Sequence, residues 1–160
     1  MSRVPITTYK THRVRNGSIS IGHRPRFKHI PAMRKNGITH VVSILSEREE
    51  ARKLGQSILR ERMEWIWIPI GSSKPPEGRD VVELVRQAFA ELEEALEAEA
   101  NIFIHCSAGI HRTGMIANAL LLYLGYSQEE AGSILSELRA ITSENVSEAR
   151  LEWGRRFIRK

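Results

Sequence analysis

A chain of 160 residues, 41% hydrophobic and 27% charged, is long enough to bury one core and too apolar to be a disordered chain. Its single cysteine excludes an internal disulfide framework and, with no CxxC pair, argues against a zinc site and for a reducing, cytoplasmic compartment. The net charge of +5 is uneven, because residues 1–46 hold nine Lys/Arg and no acid; that basic third suits an anionic partner (phosphorylated protein, nucleic acid or acidic lipid) or else forms a solvated face.

Met1–Thr11 has no apolar run, so no signal peptide is expected, and no stretch is apolar for long enough to span a bilayer. Ser18–Ile21 reads as a short strand followed by a turn at Gly22 and Pro25. Phe27–Lys35 reads as a helix closed by Asn36-Gly37, where glycine supplies the left-handed cap. Ile38–Leu45 is β-branched and apolar, a strand bounded by that glycine and by Ser46, a good helix N-cap. Glu47–Arg62 reads as a charged helix with Leu54, Ile58 and Leu59 on its apolar side, interrupted or weakened at Gly55. Glu64–Ile70 is apolar on both faces, as befits a strand between two helix layers. A Ser/Pro/Gly-rich loop, Gly71–Arg79, follows. Asp80–Ala98 is the clearest helix: Val81, Val85, Ala88, Leu92 and Ala95 alternate spacings of four and three. Asn101–His105 is a short buried strand and Met115–Leu124 an apolar helix. Ser127–Arg139 and Ser147–Ile158 are further helices, each with a serine N-cap. Strands alternating with helices predict an α/β fold, with a single central parallel or mixed sheet of about four to five strands flanked by helices. One domain is expected over 1–160, with 1–17 as a basic N-terminal extension, and the protein is expected to be a monomer.

The cysteine falls just past the carboxyl end of a buried strand and before a helix, where this architecture places ligands. If the ligand is a phosphate, each residue of His105–Gly114 (HCSAGIHRTG) has a physical task. The backbone N–H groups of Ser107, Ala108, Gly109, Ile110, His111 and Arg112 make an anion nest, and Gly109 and Gly114 relax the backbone where it curls. A helix beginning near Thr113 aims its positive end into that nest. Arg112 can fork onto two phosphate oxygens. The same dipoles and cation favour the thiolate of Cys106, and the Thr113 hydroxyl can donate to it. A thiolate beneath a bound phosphate is a nucleophile aimed at phosphorus.

This loop resembles the Cys-x5-Arg-Thr/Ser signature of the protein tyrosine phosphatase superfamily, differing mainly at His111, where tyrosine-specific members carry glycine. GHRPRFKHIPAMRKNGITHVVSILSE (Gly22–Glu47) and LGYSQEEAGSILSELRAITSENV (Leu124–Val146) resemble the segments before and after that loop in compact dual-specificity phosphatases. The resemblance implies a phosphatase in which Cys106 becomes a phosphocysteine while Arg112 and the loop N–H groups stabilise the equatorial oxygens. It gives His105 the task of bracing the loop and implies no metal and no cofactor.

One part of the family pattern is displaced. An acid is expected directly after Pro69, yet the sequence there reads Ile70-Gly71-Ser72-Ser73. Three residues are candidates for protonating the leaving oxygen. Glu77 sits in a loop able to fold over the site, or is a solvated charge. Asp80, the chain's only aspartate, equally serves as a helix N-cap. His111, beside Arg112, titrates near neutrality or merely shapes the rim. Glu77 and Asp80 rank ahead of His111. Relatives position the hydrolytic water in a loop matching Thr142–Asn145, where Asn145 is either that residue or a helix cap. No separate phosphotyrosine-recognition loop is visible, which favours a shallow cleft and a phosphorylated-protein substrate: phosphotyrosine first, phosphoserine and phosphothreonine with it. Arg13, Arg15, Arg24, Arg26 and Lys28 line that cleft or are solvated. RNA 5′-phosphates, inositol phosphates and a catalytically weak phosphate-binding module are the alternatives. Trp65 and Trp67 alternate with Ile66 and Ile68 and read as core, so nucleic acid is the less favoured partner.

Overall fold

Apolar side chains alternate along three neighbouring strands, which divides the core into two layers, one on each face of a sheet. The computed structural model describes residues 9–160; residues 1–8, part of the segment read as a basic extension, lie outside the described residues, as does most of the Met1–Thr11 reading. Five strands run in the order β1-β2-β5-β3-β4. They are β1 (His12–Val14), β2 (Gly17–Gly22), β3 (His40–Ile44), β4 (Glu64–Ile68) and β5 (Asn101–His105). β2, β5, β3 and β4 are parallel, and β1 is an antiparallel edge. The α/β sandwich with a mixed sheet expected from the alternation is the observed architecture.

Seven α-helices flank it: α1 (Ile30–Lys35), α2 (Ala51–Arg60), α3 (Arg79–Glu97), α4 (His111–Tyr123), α5 (Gln128–Leu138), α6 (Ala140–Glu144) and α7 (Glu148–Gly154). Ile102 and Ile104 of β5, Val42 and Ile44 of β3, and Ile66 and Ile68 of β4 face α3, α4, α5 and α7. The intervening Phe103, Val41, Trp65 and Trp67 face α1 and α2. α4 is buried from Arg112 through Tyr123, which explains its apolar character all round. β5 is central, and its following helix α4 packs on the face opposite to α1 and α2, which follow the neighbouring strands β2 and β3. Its carboxyl end is therefore the crevice where ligands bind in such sheets.

Several local expectations are corrected. β1 escaped notice because only Val14 of its three residues is buried and a two-residue turn at Arg15-Asn16 suffices to pair it with β2. The helix expected over Glu47–Arg62 is divided: a 3-10 turn, Glu47–Glu49, ends at Glu50, whose φ of 59° is left-handed, and α2 follows. Gly55 does not interrupt α2. A Cβ there would sit 2.5 Å from the Trp65 ring, so the glycine admits the indole rather than breaking the helix. The strand expected to reach Ile70 ends at Ile68. α4 begins at His111, earlier than Met115 or Thr113, and residues 142–144 belong to the short helix α6 rather than a loop.

Candidate active site

β5 delivers Cys106 to the crevice, where it is 3% exposed, and the loop to Ile110 turns back into α4. Gly109 holds a φ of 72°, and a Cβ on it would lie 2.2 Å from the Gly22 carbonyl oxygen. Only glycine fits that turn and that approach. Gly114 has a different task from the one expected: it lies inside α4, where a Cβ would meet Val146 at 2.5 Å.

The loop's carbonyls are engaged from outside. The Arg24 backbone N–H donates to the Ser107 oxygen at 2.9 Å. The Gly109 oxygen accepts from Thr142 Oγ1 at 2.6 Å and from Arg139 Nη1 at 2.8 Å, and Arg139 also reaches the Ala108 oxygen at 3.1 Å. Carbonyls committed outward leave the loop's N–H groups for the concave side, the arrangement an anion nest requires. Ser107, Ala108 and His111 are exposed at its rim, while Gly109 is buried.

A second network fixes the start of the loop. The Trp65 indole N–H donates to Ser43 Oγ at 2.9 Å, Ser43 pairs with His105 Nε2 at 2.6 Å, and His105 Nδ1 meets the Cys106 carbonyl oxygen at 2.9 Å. A carbonyl only accepts, so Nδ1 carries the proton and Nε2 accepts from Ser43. Burial, reinforced by the Arg24 and Arg112 guanidinium groups, pushes the His105 imidazole down to about 4, so it is neutral at pH 7. In the unfolded chain it titrates near 6.5. Its stabilising contribution is therefore complete above pH 6.5 and is lost as pH falls toward about 4, because the unfolded chain takes the proton first. We expect the unfolding free energy read from denaturant titrations to fall across this window by on the order of 3 kcal/mol, and His105→Asn to flatten that decline. An equal decline in the variant would assign the acid sensitivity elsewhere.

Arg112 is held by a residue that sequence reasoning missed. Glu49 accepts from both ends of its guanidinium, Nη1 at 2.8 Å and Nη2 at 3.0 Å, while Nη1 also donates to the Ile70 oxygen at 2.9 Å. Glu49 is itself fixed by Ser46, whose N–H and Oγ–H reach Oε1 at 2.9 and 3.1 Å. The bonds from Arg112 hold the Glu49 carboxyl at about 2, against the opposing effect of burial. Glu49 is thus ionised throughout the working range and orients Arg112 without having a proton to give. Ser46 followed three residues later by Glu49 was the available signal, legible as a capping box though silent about Arg112.

The remaining candidates are scattered. The Thr113 hydroxyl is buried without a hydrogen-bond partner, so the bond to the Cys106 sulfur expected from sequence is not formed in this conformation. The loop after β4 runs along α7: Arg150 Nε donates to the Ser73 oxygen at 2.8 Å and Trp153 Nε1 to the Pro76 oxygen at 2.7 Å. Glu77 consequently lines a cleft against α7 with Lys74, Pro75 and Trp153. Asp80 is exposed in the first turn of α3, and Gly78, not Asp80, is the N-cap. His111 is exposed as the first residue of α4. Asn145 caps α6, its amide donating to the Ile141 oxygen at 2.7 Å. Of the basic residues expected near the cleft, Arg24 joins the site, its guanidinium donating to the Glu49 carbonyl. Arg15 pairs instead with Glu97 and Glu93, and Arg13 lines a cavity beside Asn16, Asn36 and Asn101. Trp65 and Trp67 stack with centroids 5.7 Å apart and pack as core.

Among the described residues no group of three or more His, Cys, Asp or Glu is placed to hold a metal ion, and no helix is long and apolar enough to cross a membrane. The fold of the chain is similar to that of a kinase associated phosphatase crystallised with serine for its catalytic-site cysteine (TM-score 0.70, 19% identity, 88% of this chain and 84% of that one). It is also similar to PTPMT1 (TM-score 0.73, 17% identity, 92% and 93%) and to a mutant form of Tk-PTP (TM-score 0.72, 23% identity, 95% and 95%). No curated protein matches. The family model for the dual specificity phosphatase catalytic domain matches residues 19–152, and the chain, a phosphatase by that match, belongs to this family.

Proposed function

We propose that the chain hydrolyses phosphomonoesters on protein side chains, phosphotyrosine first and phosphoserine or phosphothreonine with it, through a phosphocysteine on Cys106. The observation that carries the reading is the nest whose carbonyls are engaged from outside by Arg24, Arg139 and Thr142 while Glu49 presents Arg112 at its mouth. The Cys106 sulfur bonds to phosphorus as the ester P–O bond breaks, and the leaving oxygen takes a proton. Water then attacks phosphorus, the S–P bond breaks, and inorganic phosphate departs with the thiolate restored. Loop N–H groups and Arg112 carry the charge of the equatorial oxygens in both steps. Thr113, buried and unpartnered, is the donor assigned to the departing thiolate. For the leaving-group proton, adjacency to Arg112 supports His111, exposed at the rim, over Glu77, which lines the cleft against α7, and Asp80, which lines a pocket with Arg86 and Arg156.

The exposed rim of Ser107, Ala108 and His111 supports a shallow cleft that admits short phosphorylated side chains as well as phosphotyrosine. Phosphate release from one peptide carrying phosphotyrosine, phosphoserine or phosphothreonine at the same position tests the substrate class. Vanadate-sensitive release, fastest from the phosphotyrosyl peptide, is expected. Release from RNA 5′-phosphates or inositol phosphates with none from the peptides would overturn the protein substrate while leaving the chemistry intact.

A further inference from the structure

A cavity of 350 Å³ lies against the outer side of the loop, walled by Tyr9, Lys10, His23 and Arg139 over a floor that includes Ile21 and Leu138. Among the described residues no carboxylate lines it. Its donors are also not fully used. Arg139 donates to the Ala108 and Gly109 oxygens and to Thr142 Oγ1 through Nη1 alone, leaving Nε and Nη2 without partners among the described residues. His23 spends its Nδ1–H on the Arg24 carbonyl and lines the cavity with its ring, and Lys10 forms no ion pair among the described residues. Two cationic side chains, Lys10 and Arg139, facing one small cavity with no anion among its described lining residues, form a site for a compact anion.

We propose that this cavity is a second oxyanion site, distinct from the nest, which takes a tetrahedral anion of the phosphate or sulfate type. It shares a wall with the nest: Gly22 lines the cavity, and its carbonyl is the atom that excludes a side chain from Gly109. It shares a residue as well, since the guanidinium that faces the cavity also holds the loop carbonyls. An occupant that draws on Arg139 therefore acts on the loop without touching Cys106. The proposal goes beyond the catalytic reading and rests on it only in using vanadate to fill the nest.

The test is a sulfate titration of the full chain followed through the His23 ring C–H resonances. The nest is saturated with vanadate, and chloride at matched ionic strength serves as control. A saturable shift with a midpoint on the order of millimolar is expected. Lys10→Glu should raise that midpoint by about tenfold and leave p-nitrophenyl phosphate turnover in sulfate-free buffer unchanged. A shift equal to that of chloride, a shift abolished by vanadate, or a midpoint unchanged in Lys10→Glu would each overturn the site. Absence of vanadate inhibition would count against the cysteine chemistry instead, and the wild-type and Lys10→Glu titrations without vanadate still decide the cavity. A substrate with two phosphoryl groups separates the sources of the anion. A KM raised by Lys10→Glu for that substrate alone assigns the site to its second phosphoryl group, and unchanged KM values assign it to free anion.

Discussion

Serine in place of Cys106 is expected to lower turnover of p-nitrophenyl phosphate by about 10⁴-fold or more while the protein still binds phosphate. The two side chains are close in size, and Cys106 is 3% exposed in a loop set by Gly109, His105 and Arg139, so the nest keeps its shape. The difference is chemical. Sulfur is intrinsically the better nucleophile and leaving group at phosphorus, whereas a hydroxyl supplies almost no alkoxide. Steady-state assays of both proteins between pH 5 and 8, with phosphate binding measured by calorimetry, check the two halves. Surviving turnover would sink the phosphocysteine route. A loss of phosphate binding together with turnover would show that the serine had disturbed the nest rather than only the nucleophile.

Glu49→Gln is expected to reduce kcat by roughly 10 to 100-fold, the cost of a guanidinium displaced by a fraction of an ångström to an ångström. Glutamine keeps the volume but loses the charge and one of the two oxygens that grip Arg112 at 2.8 and 3.0 Å. As a positioning residue, Glu49 should reveal itself through oxyanion affinity. Vanadate inhibition should weaken along with kcat, while KM for p-nitrophenyl phosphate rises less. A merely structural Glu49 would lower the melting temperature and leave vanadate affinity per folded molecule unchanged. Acid titration adds an independent readout. The carboxyl titrates near 4.5 when unfolded and at about 2 in the fold, so the stability it contributes is complete above pH 4.5 and is lost as pH falls toward 2. That loss should be absent from Glu49→Gln. It lies below the His105 window, and the two declines are therefore separable.

The parts of the site contiguous in sequence were legible; those assembled across the sheet were not. HCSAGIHRTG reads as a candidate nucleophile, a candidate anion nest and a helix start because strand, loop and helix follow one another and each residue's task is local. The same holds for β3, β5 and α3, whose apolar spacing is strong. Glu49 sits 63 residues before Arg112, and its partner is fixed only when β3 and β5 pair. Arg139 and Thr142 looked like the end of one helix and part of a loop, and only the turn into α6 brings both onto the Gly109 carbonyl. Gly55 misled for a related reason: its missing side chain answers to Trp65 on a neighbouring strand, not to its own helix. Glu77 had a fitting distance along the chain from Cys106, and nothing in that spacing foretold the two hydrogen bonds by which α7 holds its loop.

Those two bonds make the C-terminal helix and the loop after β4 one mechanical unit. Arg150 and Trp153 clasp the loop at Ser73 and Pro76, and the same loop begins at Ile70, whose carbonyl receives Arg112. Hydrogen bonds at both ends of the seven residues from Ile70 to Pro76 thus tie the last helix to the carbonyl that receives Arg112. Substitution of Arg150 or Trp153, far along the chain from Cys106, is therefore expected to change how firmly Arg112 is seated without altering any residue between Cys106 and Arg112.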